Sequence, residues 1–301
     1  MSWIFYALLA PALWAAVNHI DKYIISKYFS HLPATLAVLF SSMTAGMVAI
    51  VIAFFIPIFD ISFTQALWIM LAGVIFVTSY IPYVYALQED EASLVAPLFQ
   101  MVFVFSFLLG FIFLGEELSS MQFVASFFII LGAIFLSIDL SSKVFKIRSK
   151  TFFRMVLSSF LVALNMLIFK MVAIESSFWV TTFWQYVGSF AFGIAMLVFS
   201  IGSRIAFFDI LKKKKSIIGY NIFNESLNIV AALSAGFASL VVPLALVSLA
   251  NGAHPFFIVI YGIIISLFIK NVPKEKFHGK YLIQKLVSII FMVIGAYFLF
   301  K

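Results

Sequence analysis

Ten segments of roughly 20 mostly apolar residues follow one another along this chain of 301 residues, with little sequence between them. Such a segment crosses the hydrocarbon core of a bilayer as an α-helix, because a helix satisfies its own backbone hydrogen bonds. The chain is 64% apolar, 10% charged and holds 39 Phe, which is more apolar surface than a water-soluble core hides. We therefore predict an all-α, polytopic membrane protein, with ten transmembrane helices near 3–26, 33–56, 65–87, 92–114, 119–139, 152–173, 178–200, 217–237, 240–269 and 281–300.

The first residues, Met1 to Tyr6, lack the basic region and the small-residue cleavage pattern of a signal peptide, so we interpret them as the start of the first span. The chain has no Cys, which excludes disulfides, thiolate zinc sites and iron–sulfur clusters. We expect no cofactor and no metal.

The basic residues lie between the predicted spans, where Lys and Arg set the orientation of a membrane protein. The formal net charge of +7 therefore reflects topology, and we expect no nucleic acid partner. Cytoplasmic loops are enriched in Lys and Arg, so the pattern predicts odd-numbered connections in the cytoplasm and both termini outside. The protein is then expected in the cell membrane, and in a bacterial inner membrane in particular. The basic residues of the odd connections are Lys22, Lys27, Lys143, Lys146, Arg148, Lys150, Arg154, Arg204, Lys212 to Lys215, Lys270, Lys274, Lys276, Lys280 and Lys285.

The sequence contains an internal repeat. The stretch from Ala86 to Leu98 recurs from Ala232 to Leu244 with eight of 13 positions identical, including Ala-Ser-Leu-Val-x-Pro-Leu. A basic linker, 141–151, separates a first half, 1–140, from a second half, 152–301. Because each half has five spans, the second half must enter the membrane upside down, which is the inverted repeat of many secondary transporters.

Ten spans, this repeated stretch and the Leu114-Gly115-Glu116-Glu117-Leu118 turn after the fourth span resemble the EamA-like family of the drug/metabolite transporter superfamily. The second half departs from the pattern, with Lys270-Asn271 where the Gly-Glu turn would recur. The resemblance implies one EamA-like unit in each half and gradient-driven movement of metabolites such as amino acids, sugars, nucleotides or drugs. It implies no enzymatic activity.

The eighth span carries Asn221, Asn224, Glu225 and Asn228 at the spacing i, i+3, i+4, i+7, which places all four on one helical face. Ionisable and amide groups at bilayer depth are costly and usually face a cavity or a partner helix. The stripe fits either a substrate site, with Glu225 binding a proton or a substrate amine, or hydrogen bonds between helices.

The first and sixth spans carry an Asn and then a Lys at comparable places. Asn18 and Lys22 correspond to Asn165 and Lys170, and we treat both asparagines as substrate-binding candidates. Asp21 is interpreted as neutralising Lys22, which otherwise snorkels to the interface. His19 is either a structural histidine or a proton-coupling candidate.

The ninth span contains Asn251 and His254 after Pro243, and proline removes a backbone donor and so breaks or kinks a helix. Asn251 is a further substrate-binding candidate, and His254 joins Glu225 as a proton-coupling candidate.

Aromatic residues form a possible wall of the site. Tyr80 and Tyr83 in the third span and Trp184 in the seventh are deep enough to contact a solute, although packing explains them equally simply.

The pattern predicts a secondary active transporter, and an exporter in particular, for an amino acid or related polar solute. The alternative is a flippase for a lipid-linked substrate, whose acyl chain would suit Phe-rich walls. Filter-like loops, charge rings and catalytic motifs are absent from the sequence, which argues against a channel or an enzyme. We expect contact with membrane lipids and either a monomer or a homodimer.

Overall fold

A computed structural model describes residues 2–28, 35–90, 95, 98–99, 101–117, 119–138, 149–213, 215–268 and 279–299. Within these ranges the secondary structure is 91% helical and contains no strand. The prediction of an all-α protein is therefore confirmed. Most of the predicted linker, up to residue 148, and Pro97 of the fourth span lie outside the described residues.

Twelve α-helices are described, most of them matching a predicted span. They are α1 (Ser2–Tyr28), α2 (Thr35–Ala53), α3 (Phe63–Glu89), α4 (Met101–Leu114), α5 (Ser120–Ser137), α6 (Ser149–Glu175), α7 (Phe178–Phe199), α8 (Ile201–Lys213), α9 (Lys215–Val241), α10 (Leu244–Ala250), α11 (His254–Phe268) and α12 (Lys280–Leu299).

Four helices are long and apolar enough to cross a membrane by length and composition alone: α2, α3, α6 and α7. Shorter apolar stretches lie in α4, α5, α11 and α12. The helices α1 and α9 are 27 residues long and carry the polar side chains of the candidate site. Large apolar residues such as Phe54, Phe63 and Phe199 are exposed on the outside of the bundle, as expected where the solvent is lipid.

Two features differ from the sequence prediction. The basic stretch after α7 was expected to be a connection, but it forms the helix α8, whose first turn is supported by Ser200 Oγ accepting from the amide of Ser203. The ninth span is in two pieces, α10 and α11, which a 3-10 turn, Asn251–Ala253, divides. Pro243 separates α10 from α9, and the missing proline donor accounts for that break.

The two parts of the chain are interleaved. Helix α1 packs along α9 and α11, α2 along α7, α3 along α6 and α7, α4 along α6 and α10, and α5 along α12. Each of these contacts joins a helix before residue 138 to one after residue 149. Helices from both parts of the chain therefore line any space at the centre of the bundle.

Helices α3 and α7 cross closely at two glycines. A Cβ on Gly73 would collide with the carbonyl oxygen of Gln185, and a Cβ on Gly188 would collide with the backbone of Met70. Ser189 Oγ donates to the Gly73 carbonyl at 3.0 Å across the same contact. Small residues that allow such close backbone approach are typical of helix pairs in membranes.

One end of the bundle, which we call the basic end, is defined by Lys27, Arg154 and Arg204. Here α1 and α3 end and α2, α6 and α9 begin. The largest apolar cluster of the described residues closes this end, joining side chains from all five helices and from α8. At the opposite end the apolar clusters are smaller and separate.

Candidate functional site

A cavity of about 770 Å³, including the part open at its mouth, lies between the two parts of the chain. Helices α1, α3, α6, α9 and α11 contribute to its wall. Most of that wall is apolar, and a few polar groups project into it, as is usual in small-molecule sites. The residues used below are Trp14, Asn18, Asp21, Phe76, Tyr80, Tyr83, Phe99, Asn228, Asn251 and His254.

Two helices, α1 and α3, supply their part of this wall by the same spacing. Trp14, Asn18 and Asp21 on α1 follow i, i+4, i+7, and so do Phe76, Tyr80 and Tyr83 on α3. Residues at this spacing lie on one face of a helix. Helix α9 contributes Asn228, one member of its polar stripe, to the same wall.

Asp21 is tied to both parts of the chain. Its two carboxylate oxygens accept from Asn224 Nδ2 at 2.7 Å and from the Tyr83 hydroxyl at 3.0 Å. Asn18 Nδ2 donates to the same Tyr83 oxygen. Sequence reasoning interpreted Asp21 only as a neutraliser of Lys22, and the helical spacing from Trp14 was the signal that could have placed it in the site.

Glu225 is buried behind the main cavity, in a smaller space of about 300 Å³. Its Oε2 accepts from Ser41 Oγ on α2 at 3.2 Å and from Asn228 Nδ2 at 3.3 Å. The site therefore contains a second carboxylate, held like the first by groups from both parts of the chain.

Asn228 connects the aromatic wall to Glu225. Its Oδ1 accepts from the Trp14 indole N–H at 3.0 Å, and its Nδ2 donates to the Tyr80 hydroxyl as well as to Glu225. Ser41 and Trp14 were not among the predicted site residues. Neither stands out in the sequence, since serines and aromatic residues occur throughout the spans.

A second space of about 640 Å³ adjoins the main cavity and extends toward the start of α7. Asn165 lines it, and Gln185 Nε2 donates to Asn165 Oδ1 at 2.6 Å. Phe76 borders all three spaces. Asn165 and Asn18 thus lie in adjoining cavities.

Within the described part of the chain, the buried atoms Asn18 Oδ1, Asn224 Oδ1 and His254 Nε2 have no hydrogen-bond partner. The His254 ring is already bonded to the Trp14 backbone. Asn18 and His254 line the main cavity, and Asn251 lines it beside them. Buried polar groups are nearly always paired, so such atoms are candidates for contact with a ligand.

Four predicted residues, Trp184, Asn221, Asn224 and His19, are not among the described residues that line these cavities. Trp184 donates its indole N–H to the Ile58 carbonyl at 2.8 Å. Asn221 donates to the Ile217 carbonyl of its own helix at 2.9 Å, and His19 Nε2 lies 2.9 Å from the Ile258 carbonyl oxygen.

The two lysines of the repeat reach main-chain carbonyls near helix ends. Lys22 donates to the carbonyls of Leu87 and Asp90 at 2.7 and 2.8 Å. Lys170 donates to the Val242 carbonyl at 2.9 Å, beside the break at Pro243. Cations near the C-terminal end of a helix also interact favourably with its dipole.

Comparison with known proteins supports the fold and part of the family assignment. Curated proteins yield no match. Among solved structures, one described only as a crystal structure of a protein shares 13% identity and a TM-score of 0.64 with this chain, over 99% of this chain and 96% of its own. At that identity the likeness shows the fold alone. The model of the EamA-like transporter family matches residues 1–138.

With its apolar helices, the protein is thus a multi-pass membrane protein, and residues 1–138 belong to the EamA-like transporter family of the drug/metabolite transporter superfamily.

Proposed function

We propose that the protein is a secondary active transporter that exports a small polar metabolite, such as an amino acid or a related solute, by alternating access. The observation that carries the proposal is the main cavity. Both parts of the chain line it, and both hold its Asp21 carboxylate, within a chain whose first part belongs to a transporter family. Its polar groups suit a soluble solute.

The architecture proposed is ten spans in two inverted halves of five, 1–140 and 152–301. In that assignment α6, α7, α9, α10 with α11, and α12 repeat α1 to α5. The packing supports it, because exchanging the halves turns the α1–α9 contact into α6–α3 and the α1–α11 contact into α6–α4. The contacts α2–α7 and α5–α12 are unchanged by the exchange.

One pair of contacts breaks this symmetry. Helix α3 packs closely along α7, whereas the corresponding helices α9 and α2 meet at few positions. In an inverted repeat, the site opens to the opposite side of the membrane when each half adopts the arrangement of the other half. The observed structure then represents one end of the cycle, with the basic end closed by its apolar cluster.

The proposed orientation places the basic end in the cytoplasm of a bacterial cell and both termini outside, since Lys and Arg favour the cytoplasmic side. Solute binds between Asp21, the asparagines and the aromatic wall, and rocking of the halves exposes it to the other side. Glu225 and His254 border the cavities and remain the candidates for carrying a coupled proton.

The experiment uses the absence of Cys from the chain. Tyr23 on α1 and Tyr220 on α9 approach edge to face at the basic end, with ring centroids 5.7 Å apart. A Tyr23→Cys/Tyr220→Cys variant, joined by a short bis-methanethiosulfonate that forms a reducible disulfide with each thiol and releases sulfinate, should lose solute counterflow in liposomes. Cleavage of the reagent should restore it, and each single Cys variant serves as a control. Counterflow at the full rate with the link intact would overturn alternating access by rocking of the halves.

A further inference from the structure

The main cavity is acidic and contains no matching base. Asp21 lines it and Glu225 lies behind it, and neither Lys nor Arg is among the described residues that line the three adjoining cavities. A buried carboxylate at bilayer depth is costly unless a positive charge or a proton compensates it. In this site the compensation comes either from a proton or from a cation bound in the cavity.

The nearest lysines along the helices have other contacts. Lys22 is bonded to carbonyls near the end of α3, and Lys170 pairs with Glu116 at 2.6 Å. Arg154 lies at the basic end, paired with Glu89 at 2.8 Å. Neither Lys170 nor Arg154 borders the cavity.

The unpartnered atoms of the site are all acceptors. Asn18 Oδ1 and Asn224 Oδ1 are amide oxygens on residues only 5% and 3% exposed. His254, 5% exposed, is bonded to the Trp14 backbone, which offers it a carbonyl. The ring nitrogen that donates there must carry the proton, so Nε2 of the neutral ring accepts. Each unpaired acceptor can be satisfied only by a group that donates.

Asp21 has capacity for another donor as well. It accepts two hydrogen bonds, from Asn224 and Tyr83, whereas an ionised carboxylate has about four acceptor positions. A cationic donor at this place would form the stronger, charge-assisted kind of hydrogen bond.

The remaining wall is aromatic. Phe76 and Tyr80 meet edge to face at 5.7 Å, Tyr80 and Tyr83 at 6.2 Å, and Tyr83 is tilted against Phe99 at 5.4 Å. Aromatic faces attract a cation and also pack against an apolar body.

We infer that the cavity binds an organic ammonium ion, a protonated primary or secondary amine on an apolar or aromatic body, with Asp21 as its counterion and Asn18 and His254 accepting its N–H groups. The inference rests on the proposed function and specifies the class of solute. A neutral alcohol lacks the charge, a carboxylate carries the wrong charge, and a quaternary ammonium lacks the donors.

The test uses the full chain purified in detergent and four matched probes: 2-phenylethylamine, its N,N,N-trimethyl derivative, 3-phenylpropionate and 2-phenylethanol. Because a ligand of the folded state raises its apparent stability, the amine should raise the melting temperature, and titration calorimetry should give its Kd. The acid and the alcohol should leave the melting temperature unchanged. The trimethyl derivative should bind about tenfold or more weakly than the amine.

The Asp21→Asn variant should weaken amine binding by about tenfold or more, the range expected for losing a hydrogen bond to a charged group. The control is Asp60→Asn, which neutralises an exposed carboxylate in the connection between α2 and α3 and should bind the amine normally. If Asp21→Asn fails to fold, Asn18→Leu provides the second variant, since it removes an unpartnered acceptor and leaves both carboxylates in place.

Preferential binding of the acid, or unchanged amine binding by a folded Asp21→Asn or Asn18→Leu variant, would overturn the ammonium site. Different outcomes would overturn the proposed function. If the cysteine link blocks counterflow of a different solute and no amine binds, only the inference that the solute is an ammonium ion is overturned. If amine binding depends on Asp21 but the link leaves counterflow unaffected, the ammonium site is supported and alternating access by rocking of the halves is overturned.

Discussion

The ammonium nitrogen of Lys170 lies 2.6 Å from a carboxylate oxygen of Glu116, joining α6 to the Gly-Glu turn that follows α4. The second oxygen of Glu116 accepts from the Leu244 amide at 2.9 Å, at the first residue of α10. Lys170 also holds the Val242 carbonyl on the other side of Pro243. The Gly-Glu turn, which carries part of the resemblance to the EamA-like family, is therefore bonded, directly or through Lys170, to both sides of the break between α9 and α10 in the other part of the chain.

Removing one member of this pair should destabilise the protein. The side chains of Lys170 and Glu116 are 9% and 12% exposed, and loss of one partner leaves the other charge buried. We expect Glu116→Gln or Lys170→Met to lower the free energy of unfolding by about 3 kcal/mol or more, measured by thermal unfolding in detergent. The double variant Glu116→Leu/Lys170→Met should lose less than the sum of the single variants.

The pair Arg154–Glu89 is the matched control, because its side chains are 31% and 44% exposed. Glu89→Gln should change the free energy of unfolding by no more than about 1 kcal/mol. Equal losses in the buried and the exposed pair would contradict the role assigned to Glu116.

Adding a methyl group at the α3–α7 crossing should also destabilise the fold. In Gly73→Ala the new Cβ meets the main-chain oxygen of Gln185, so the helices must separate. We expect a loss of about 1–3 kcal/mol, as for overpacked cores, in the same unfolding assay. Gly202→Ala on α8 meets nothing within 4 Å and should be neutral or stabilising by up to about 1 kcal/mol. An unchanged free energy of unfolding for Gly73→Ala would show that the α3–α7 crossing can accommodate the added methyl group.

Cysteine labelling tests the proposed orientation directly, because the natural chain has no Cys. Asp60 lies between α2 and α3, and Lys150 is exposed at the start of α6. In intact cells an impermeant maleimide should label Asp60→Cys but should label Lys150→Cys only after permeabilisation. The reverse pattern would place the termini in the cytoplasm and overturn the orientation inferred from Lys and Arg.

Neutralising Glu225 tests proton coupling. If this buried carboxylate carries the coupled proton, Glu225→Gln should abolish uphill transport driven by a pH gradient while solute exchange at equal pH continues. Both rates are measured in liposomes from about pH 5 to about pH 8. Gradient-driven transport that survives the substitution would exclude Glu225 as the coupling group and leave His254 as the candidate.

Much of the candidate site was predictable from local spacing. The stripe from Asn221 to Asn228 stands out because polar residues are rare in apolar spans, and helical periodicity places them on one face. The contacts of Asp21 were not predictable, because the sequence shows only Lys22 as its neighbour along the chain. Its two described hydrogen-bond partners, Tyr83 and Asn224, are 62 and 203 residues away. Trp184 was predicted for its depth, and only packing reveals that its N–H points to Ile58.

The sequence by itself determined that the protein lies in a lipid bilayer, that it is helical and which family it resembles. Each of these follows from composition, periodicity or a short local motif. The tertiary structure decided which polar faces meet. A helix face can be derived from residues seven apart, but its partner depends on how α1, α3 and α9 pack around one space. That packing brings Asp21 to Asn224 and leaves the acceptors of Asn18 and His254 facing the cavity, because another helix can supply a hydrogen-bond partner only where it packs directly against the side chain.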